Sequence, residues 1–362
     1  MKASIRHMLD KVVSRNQLGI NTDWDGSVLI TAILAWYKAT GDPSYAEFAK
    51  AWFTHHLACD HKLTDKQFYS GYIGIKSKIL REGPIPFTAY CGHWGLVYTC
   101  PELYELTRDP AAIHAADAVA SYILHRSSRN AYGCVYHDDD AAFTIPDTCY
   151  FVSPILIIAA NLTGKSVYME HAIHQLRAFT KLFLDMETGL SYTLWSAAGK
   201  PRAFWSRASG WLAGALANSL MHIPPHRPEY GEFAQALRTM ADGIVKVQRE
   251  DGGFHLLMDR PDIPVDCTAP AMIALALRNG VKLGILEQDY DLAATRAWEA
   301  TVGFVTGEGE PTQAYTGWAK HAIDEDFGAQ KFDRPRDFVT GLILLAAASF
   351  EITQAEKGMT AR

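Results

Sequence analysis

The 362-residue chain has six cysteines, Cys59, Cys91, Cys100, Cys134, Cys149 and Cys267, with no Cys-x-x-Cys pair and no Cys/His ligand spacing. That scatter excludes a disulfide framework or a zinc ribbon and points to reduced thiols. There is no basic run, and the net charge is −6. Nucleic acid and anionic membrane surfaces are therefore excluded as main partners. No apolar run approaches the ~20 residues of a membrane span, and the opening MKASIRHMLDKVVSRNQL lacks the apolar segment of a signal peptide, so a cytoplasmic protein is expected. Asp138-Asp139-Asp140 and fourteen His raise the question of a metal. The acidic run lacks the Gly and terminal Glu of a calcium loop, and no metal or other cofactor is expected. A phosphate loop, a nucleotide fingerprint and a Pro/Gly/Ser-rich linker are also missing, which leaves one domain spanning 1–362.

The chain is 48% apolar, ample for a large core. Apolar residues recur at three and four almost throughout, predicting helices at about 3–15, 24–39, 43–58, 92–106, 110–126, 148–162, 166–185, 208–221, 229–248, 267–279, 289–305 and 335–354. Short turns such as Thr40-Gly41-Asp42-Pro43, Thr107-Arg108-Asp109-Pro110 and Thr163-Gly164-Lys165 join helices into hairpins, because Gly ends a helix and Pro starts one. Long segments, roughly 59–91, 127–147, 186–207, 249–266 and 306–334, join hairpin to hairpin. The first and last helices are each unpaired in sequence. If they pair with each other, six hairpins close a ring, so the expected fold is all-α, an (α/α)6 barrel rather than an open solenoid that would need polar caps.

In such a ring the helices that follow the long loops run parallel, and their N-termini meet at one mouth. Trp24, Asp25, Tyr90, His93, His137, Asp147, Tyr192, Arg207, Trp211, His255 and Asp266 all fall in a long loop or at such a helix start. Within Trp205-Ser206-Arg207-Ala208-Ser209-Gly210-Trp211 a guanidinium stands between two indoles. Arg can clamp a carboxylate through two parallel hydrogen bonds, and Trp offers a flat face to a pyranose. A Trp-rich turn that only packs, with Arg stacked on an indole, is the competing reading, and it stays open for Trp205.

Asp147 follows Pro146 and precedes an apolar run, which suits either a general acid or an N-cap. The two roles conflict, since a helix N-terminus lowers a carboxyl pKa and an acid needs it raised. Desolvation would have to prevail. Asp25 is read as a second carboxylate binding hydroxyls or as a cap of its own helix, and Asp266 as a cap. His137, ten residues before Asp147, is either structural or a site residue. His93, beside Tyr90 and Trp94, is a candidate acid, base or hydroxyl ligand.

Together these segments resemble the unsaturated uronyl hydrolases, the unsaturated rhamnogalacturonyl and glucuronyl hydrolases of glycoside hydrolase families 105 and 88. Trp24-Asp25-Gly26 with Thr40-Gly41-Asp42 resembles the first hairpin, and Pro146-Asp147-Thr148-Cys149-Tyr150 the segment of the catalytic Asp. Trp205 to Trp211 resembles a Trp-Gly-Arg-Gly-Asn-Gly-Trp signature, and Gly252-Gly253-Phe254 with Asp266-Cys267-Thr268-Ala269 a later inner-helix start. The resemblance implies an (α/α)6 barrel that removes a 4,5-unsaturated uronic acid from the non-reducing end of a lyase-generated oligosaccharide. Asp147 would protonate C4 and help water add at C5, Arg207 would bind the uronate, Trp211 would stack on the sugar, and no metal would be needed.

Two positions depart from the pattern. Ala89-Tyr90-Cys91-Gly92-His93 stands where an Asp is frequent, and Tyr192-Thr193 where a His usually follows Tyr. Tyr90 and His93 are therefore expected to take over contacts or chemistry. A lyase or dehydratase using Tyr90, His93 or His137, and a non-catalytic sugar-binding barrel, are the alternatives. The partner expected in each case is an acidic oligosaccharide, and a homo-oligomer stays open.

Overall fold

A computed structural model describes residues 1–58, 90–137, 142–315 and 336–360. Cys59, Ala89 and the Asp138–Asp140 run lie outside them, and no group of three metal-binding side chains occurs among the described residues.

The helices are α1 (Ala3–Ser14), α2 (Trp24–Thr40), α3 (Pro43–Ala58), α4 (Cys100–Thr107), α5 (Ala111–His125), α6 (Pro146–Tyr150), α7 (Ser153–Thr163), α8 (Ser166–Phe183), α9 (Ser206–Leu220), α10 (Pro228–Lys246), α11 (Thr268–Lys282), α12 (Asp289–Gly303) and α13 (Asp337–Thr360). Short turns end in left-handed residues, Gly41 (φ 71°), Arg108 (φ 55°) and Gly164 (φ 72°), each donating its N–H back into the helix it closes. A two-residue ribbon, β1 (Phe143–Thr144) with β2 (Trp195–Ser196), ties two mouth loops together.

Two expected helices differ in detail. The fourth opens as a 3-10 segment, Cys91–Thr99, before becoming α4 at Cys100. Two glycines weaken the α form there, and Pro101 removes a backbone donor. The sixth breaks into α6 and α7 because the Pro154 ring would collide with the carbonyl four residues back, that of Tyr150. That carbonyl, freed from the helix, accepts a hydrogen bond from the Tyr98 hydroxyl at 2.5 Å.

The ring closes. The inner wall runs from α2 through the Cys91–Thr107 segment, α6 with α7, α9, α11 and α13, and returns to α2. Each inner element has its outer partner, α1 pairing with α13, where Arg15 meets Asp337 at 2.6 Å. The tightest closure is α13 along α2. A Cβ on Gly341 would stand 2.7 Å from the Leu29 nitrogen, so only glycine lets these backbones approach. Trp36 donates its indole N–H to the Leu344 carbonyl at 3.0 Å. A smaller apolar cluster of Ile145, Leu194, Trp205, Leu256 and Tyr315 underpins the loops at the mouth. No described helix is long and apolar enough to cross a membrane.

Candidate active site

The starts of the inner helices converge at the mouth. Asp147 is the second residue of α6, behind Pro146, and is partly buried. Its Oδ1 is buried without a hydrogen-bond partner among the described residues. The conflict between helix terminus and acid is resolved by burial. Desolvation raises the carboxyl to about 6, outweighing the attraction of Arg207 and the hydrogen bond from its own backbone N–H.

Arg207, in the first turn of α9, is 3% exposed. Its guanidinium lies 4.0 Å over the Trp205 ring, with Tyr315 at 5.8 Å and Phe338 at 5.5 Å. Nη1 donates to the Tyr315 carbonyl. Burial lowers the Arg207 pKa, while the charges of Asp147 and Asp266 counter the fall. The guanidinium thus stays charged in the field of two carboxyl groups.

Within the field of Asp147, Tyr90 stands edge-on to two imidazoles, His93 at 5.2 Å and His137 at 5.1 Å between ring centroids. Gly92 makes room, since a Cβ there would meet Tyr90 Cε1 at 2.3 Å and Trp24 Cδ1 at 2.6 Å. Burial pushes the Tyr90 phenol well above its ordinary value, with the negative fields of Cys91, Asp147 and Asp23 adding to the effect. It also lowers His137 to about 3, so that imidazole is neutral at ordinary pH. His137 Nδ1 lies 3.2 Å from Thr148 Oγ1 and 3.3 Å from Cys91 Sγ, which fixes its ring. His93 Nε2 lies 4.0 Å from Asp23 Oδ1, both side chains buried.

The structure therefore gathers Asp147, Arg207, Tyr90, His93 and His137, and Trp24 joins them through Phe338, 4.4 Å away. Five residues stand otherwise than expected. Trp211 is fully buried, packed on Tyr150 at 4.7 Å and Phe151 at 5.6 Å, and so has no face to offer a sugar. Trp205, 2% exposed, is the platform under Arg207 rather than a ligand surface. Tyr192 sits at the periphery, its hydroxyl 3.4 Å from Asp185 and its ring 3.8 Å under Lys200 Nζ. Asp25 caps a helix, but the one across the ring seam. Its Oδ1 accepts the Phe338 N–H at 2.7 Å and its Oδ2 the Arg336 guanidinium at 3.1 Å, so it is not free to bind hydroxyls. His255 is likewise held outside the cluster by Arg249 and the Ile263 carbonyl.

Sequence reading missed Asp23, Thr148, Tyr315, Arg336 and Phe338. Arg336 and Phe338 carried a usable signal, because they open the last inner helix and every inner helix opens at the mouth. Tyr315 carried none. It reaches Arg207 across 108 residues of chain through the ring alone.

Fold and site define a six-hairpin helical toroid whose mouth holds a carboxyl of raised proton affinity beside a buried guanidinium. The chain belongs to Glycosyl Hydrolase Family 88, whose model matches residues 1–353. It is 23% identical over 350 residues to the unsaturated rhamnogalacturonyl hydrolase YesR of Bacillus subtilis (strain 168), covering 94% of this chain and 93% of that one. Among solved structures, a possible member of the GH105 family from Salmonella enterica subsp. enterica serovar Paratyphi A superposes with a TM-score of 0.81 at 20% identity, over 97% of this chain and 93% of that one. An unsaturated glucuronyl hydrolase specific for heparin gives 0.70 at 14%, over 98% and 96%. A polysaccharide lyase shares the fold at 0.72 and 22%, over 93% and 92%.

Proposed function

We propose that this protein hydrolyses short acidic oligosaccharides bearing a 4,5-unsaturated uronic acid at the non-reducing end, with Asp147 as the acid. The observation that carries the reading is the Asp147 carboxyl, raised to about 6, with an unpartnered buried oxygen beside Arg207. A carboxyl near 6 keeps a useful protonated fraction near neutral pH and regains a proton readily, as an acid that later serves as base must. Asp147 gives its proton to C4 while water adds at C5. The resulting carboxylate takes the proton that water sheds, and the C5 hemiketal opens to release the next sugar. Arg207 pairs with the uronate carboxylate, and the neutral His137 and the protonated Tyr90 hydrogen-bond substrate oxygens without exchanging protons.

The fold shared with a polysaccharide lyase, and the Tyr90, His93 and His137 cluster, favour elimination as a second reading. Proton affinities weigh against it, because a phenol held well above its ordinary value is a poor base near neutrality and an imidazole at about 3 is a weak one. The decisive assay follows the ultraviolet absorbance of the unsaturated uronate. Hydrolysis removes it and adds the mass of water before cleavage, whereas elimination creates absorbance. Wild-type protein that leaves a broad panel of unsaturated oligosaccharides intact, or an active Asp147→Asn variant, would sink the proposal.

A further inference from the structure

Asp266 is fully buried just before α11, yet it does not touch Arg207 directly. Its Oδ1 accepts the Tyr315 N–H at 3.0 Å and its Oδ2 the Thr268 hydroxyl. One residue on, the Cys267 N–H donates to the Gln313 carbonyl at 3.1 Å, and Gln313 adopts φ 52°, a left-handed turn uncommon for a side chain other than glycine. The 313–315 segment is thus stapled to the start of α11 at two points. The product of that staple is the position of the Tyr315 carbonyl, the acceptor for Arg207 Nη1. The Tyr315 ring also stands 5.8 Å from both the Trp205 ring and the guanidinium carbon.

A guanidinium binds a carboxylate well only when its planar fork is already oriented, because the bidentate geometry is directional. Trp205 and Phe338 pack against the Arg207 guanidinium, and the Tyr315 carbonyl, accepting from Nη1, holds one arm of the fork against rotation about the Nε–Cζ bond. We propose that Asp266 is a positioning residue: through the Tyr315 backbone it fixes the Arg207 guanidinium and so sets the affinity of the site for the substrate carboxylate. The carboxyl of Asp266 also lends its field to the buried cation.

The kinetic consequence rests on the uronyl-hydrolase reading, whereas the orientation of Arg207 does not, so the test has two arms. In the first, Asp266→Ala raises KM for an unsaturated disaccharide about tenfold with kcat within about threefold, and Asp266→Asn, which keeps an acceptor for the Tyr315 N–H, recovers most of the loss. Asp266→Ala adds no further increase in KM to Arg207→Ala, since its effect passes through that side chain. An unchanged KM, equal impairment in the Asn and Ala variants, or full additivity with Arg207→Ala overturns the inference. In the second arm, 15N NMR of the unliganded protein follows rotation about the Arg207 Nε–Cζ bond. Rotation is slow in the wild type and about tenfold faster in Asp266→Ala, and equal rates overturn the inference whether or not any oligosaccharide is turned over. Asp266→Ser, too short to reach the Tyr315 nitrogen, serves in both arms if the alanine variant does not fold.

Discussion

Replacing the proposed acid by its neutral isostere, Asp147→Asn, should abolish activity and yet make the protein more stable. The rise of the Asp147 carboxyl from 3.8 to about 6 means the folded state holds this proton more tightly than the unfolded state does. The neutral form is therefore compatible with folding at full strength below the unfolded value, and stability is lost as pH rises through the folded one. At pH 7.5 the ionised carboxylate costs the fold about 3 kcal/mol, with the attraction of Arg207 already included. Asparagine removes that cost but brings N–H donors that want partners, an offset of about 1 kcal/mol. A net gain of about 2 kcal/mol remains, which for a chain of 362 residues is a rise in Tm of about 3 °C. Scanning calorimetry of both proteins from pH 4 to 8 measures it. The gain of the variant should fall as pH drops, because near pH 5 the ionisation cost is about half its neutral value. A variant that melts no higher than wild type at pH 7.5, or whose advantage persists undiminished to pH 4, would refute the argument that burial controls this carboxyl.

Three other outcomes follow from the same geometry. If protonated Asp147 is the reactive form, kcat/KM should fall about tenfold per pH increment above about 6, and a profile flat to pH 8 would contradict the role. Gly341→Ala forces a methyl group against the Leu29 backbone at 2.7 Å, so it should cost about 3 kcal/mol, seen as a lower Tm and a lower urea midpoint. Trp211→Phe should lower Tm through a packing defect of about 1–3 kcal/mol while leaving KM within about twofold, because Trp211 is enclosed by Tyr150 and Phe151. A large rise in KM with unchanged stability would restore Trp211 to the sugar surface.

The six hairpins were legible because helical period, Gly and Pro punctuation and loop length agree along most of the chain. They part from the structure at a proline. Pro154 sits inside a run whose apolar pattern continues through it, and pattern alone does not register the lost backbone bond. The mouth was legible as a place, since inner-helix starts must share an end. Which side chains point outward there was not. Trp211 lies one helical turn beyond Arg207, close enough in sequence to belong to the same motif and far enough along α9 to sink into the core. In the sequence Asp25 reads either as a carboxylate binding hydroxyls or as the cap of its own helix, because capping is ordinarily local. Its partner Phe338 is 313 residues away, a contact that only ring closure creates.

The Asp25 seam also sets a timetable. The first inner helix and the helix start it caps lie at opposite ends of the chain, so at about 5–20 residues per second a ribosome needs roughly 15–60 s to make the second after the first. Throughout that interval the face of α2 that α13 will cover, including Leu29 and Trp36, has no mate. The nascent protein is an open crescent of hairpins with an apolar edge, the state most exposed to intermolecular association. Emergence of the last helix is the event that converts a sticky arc into a sealed ring. Yield in the cell should therefore depend more on the speed of translation and the supply of chaperones late in the chain than on the strength of any early hairpin.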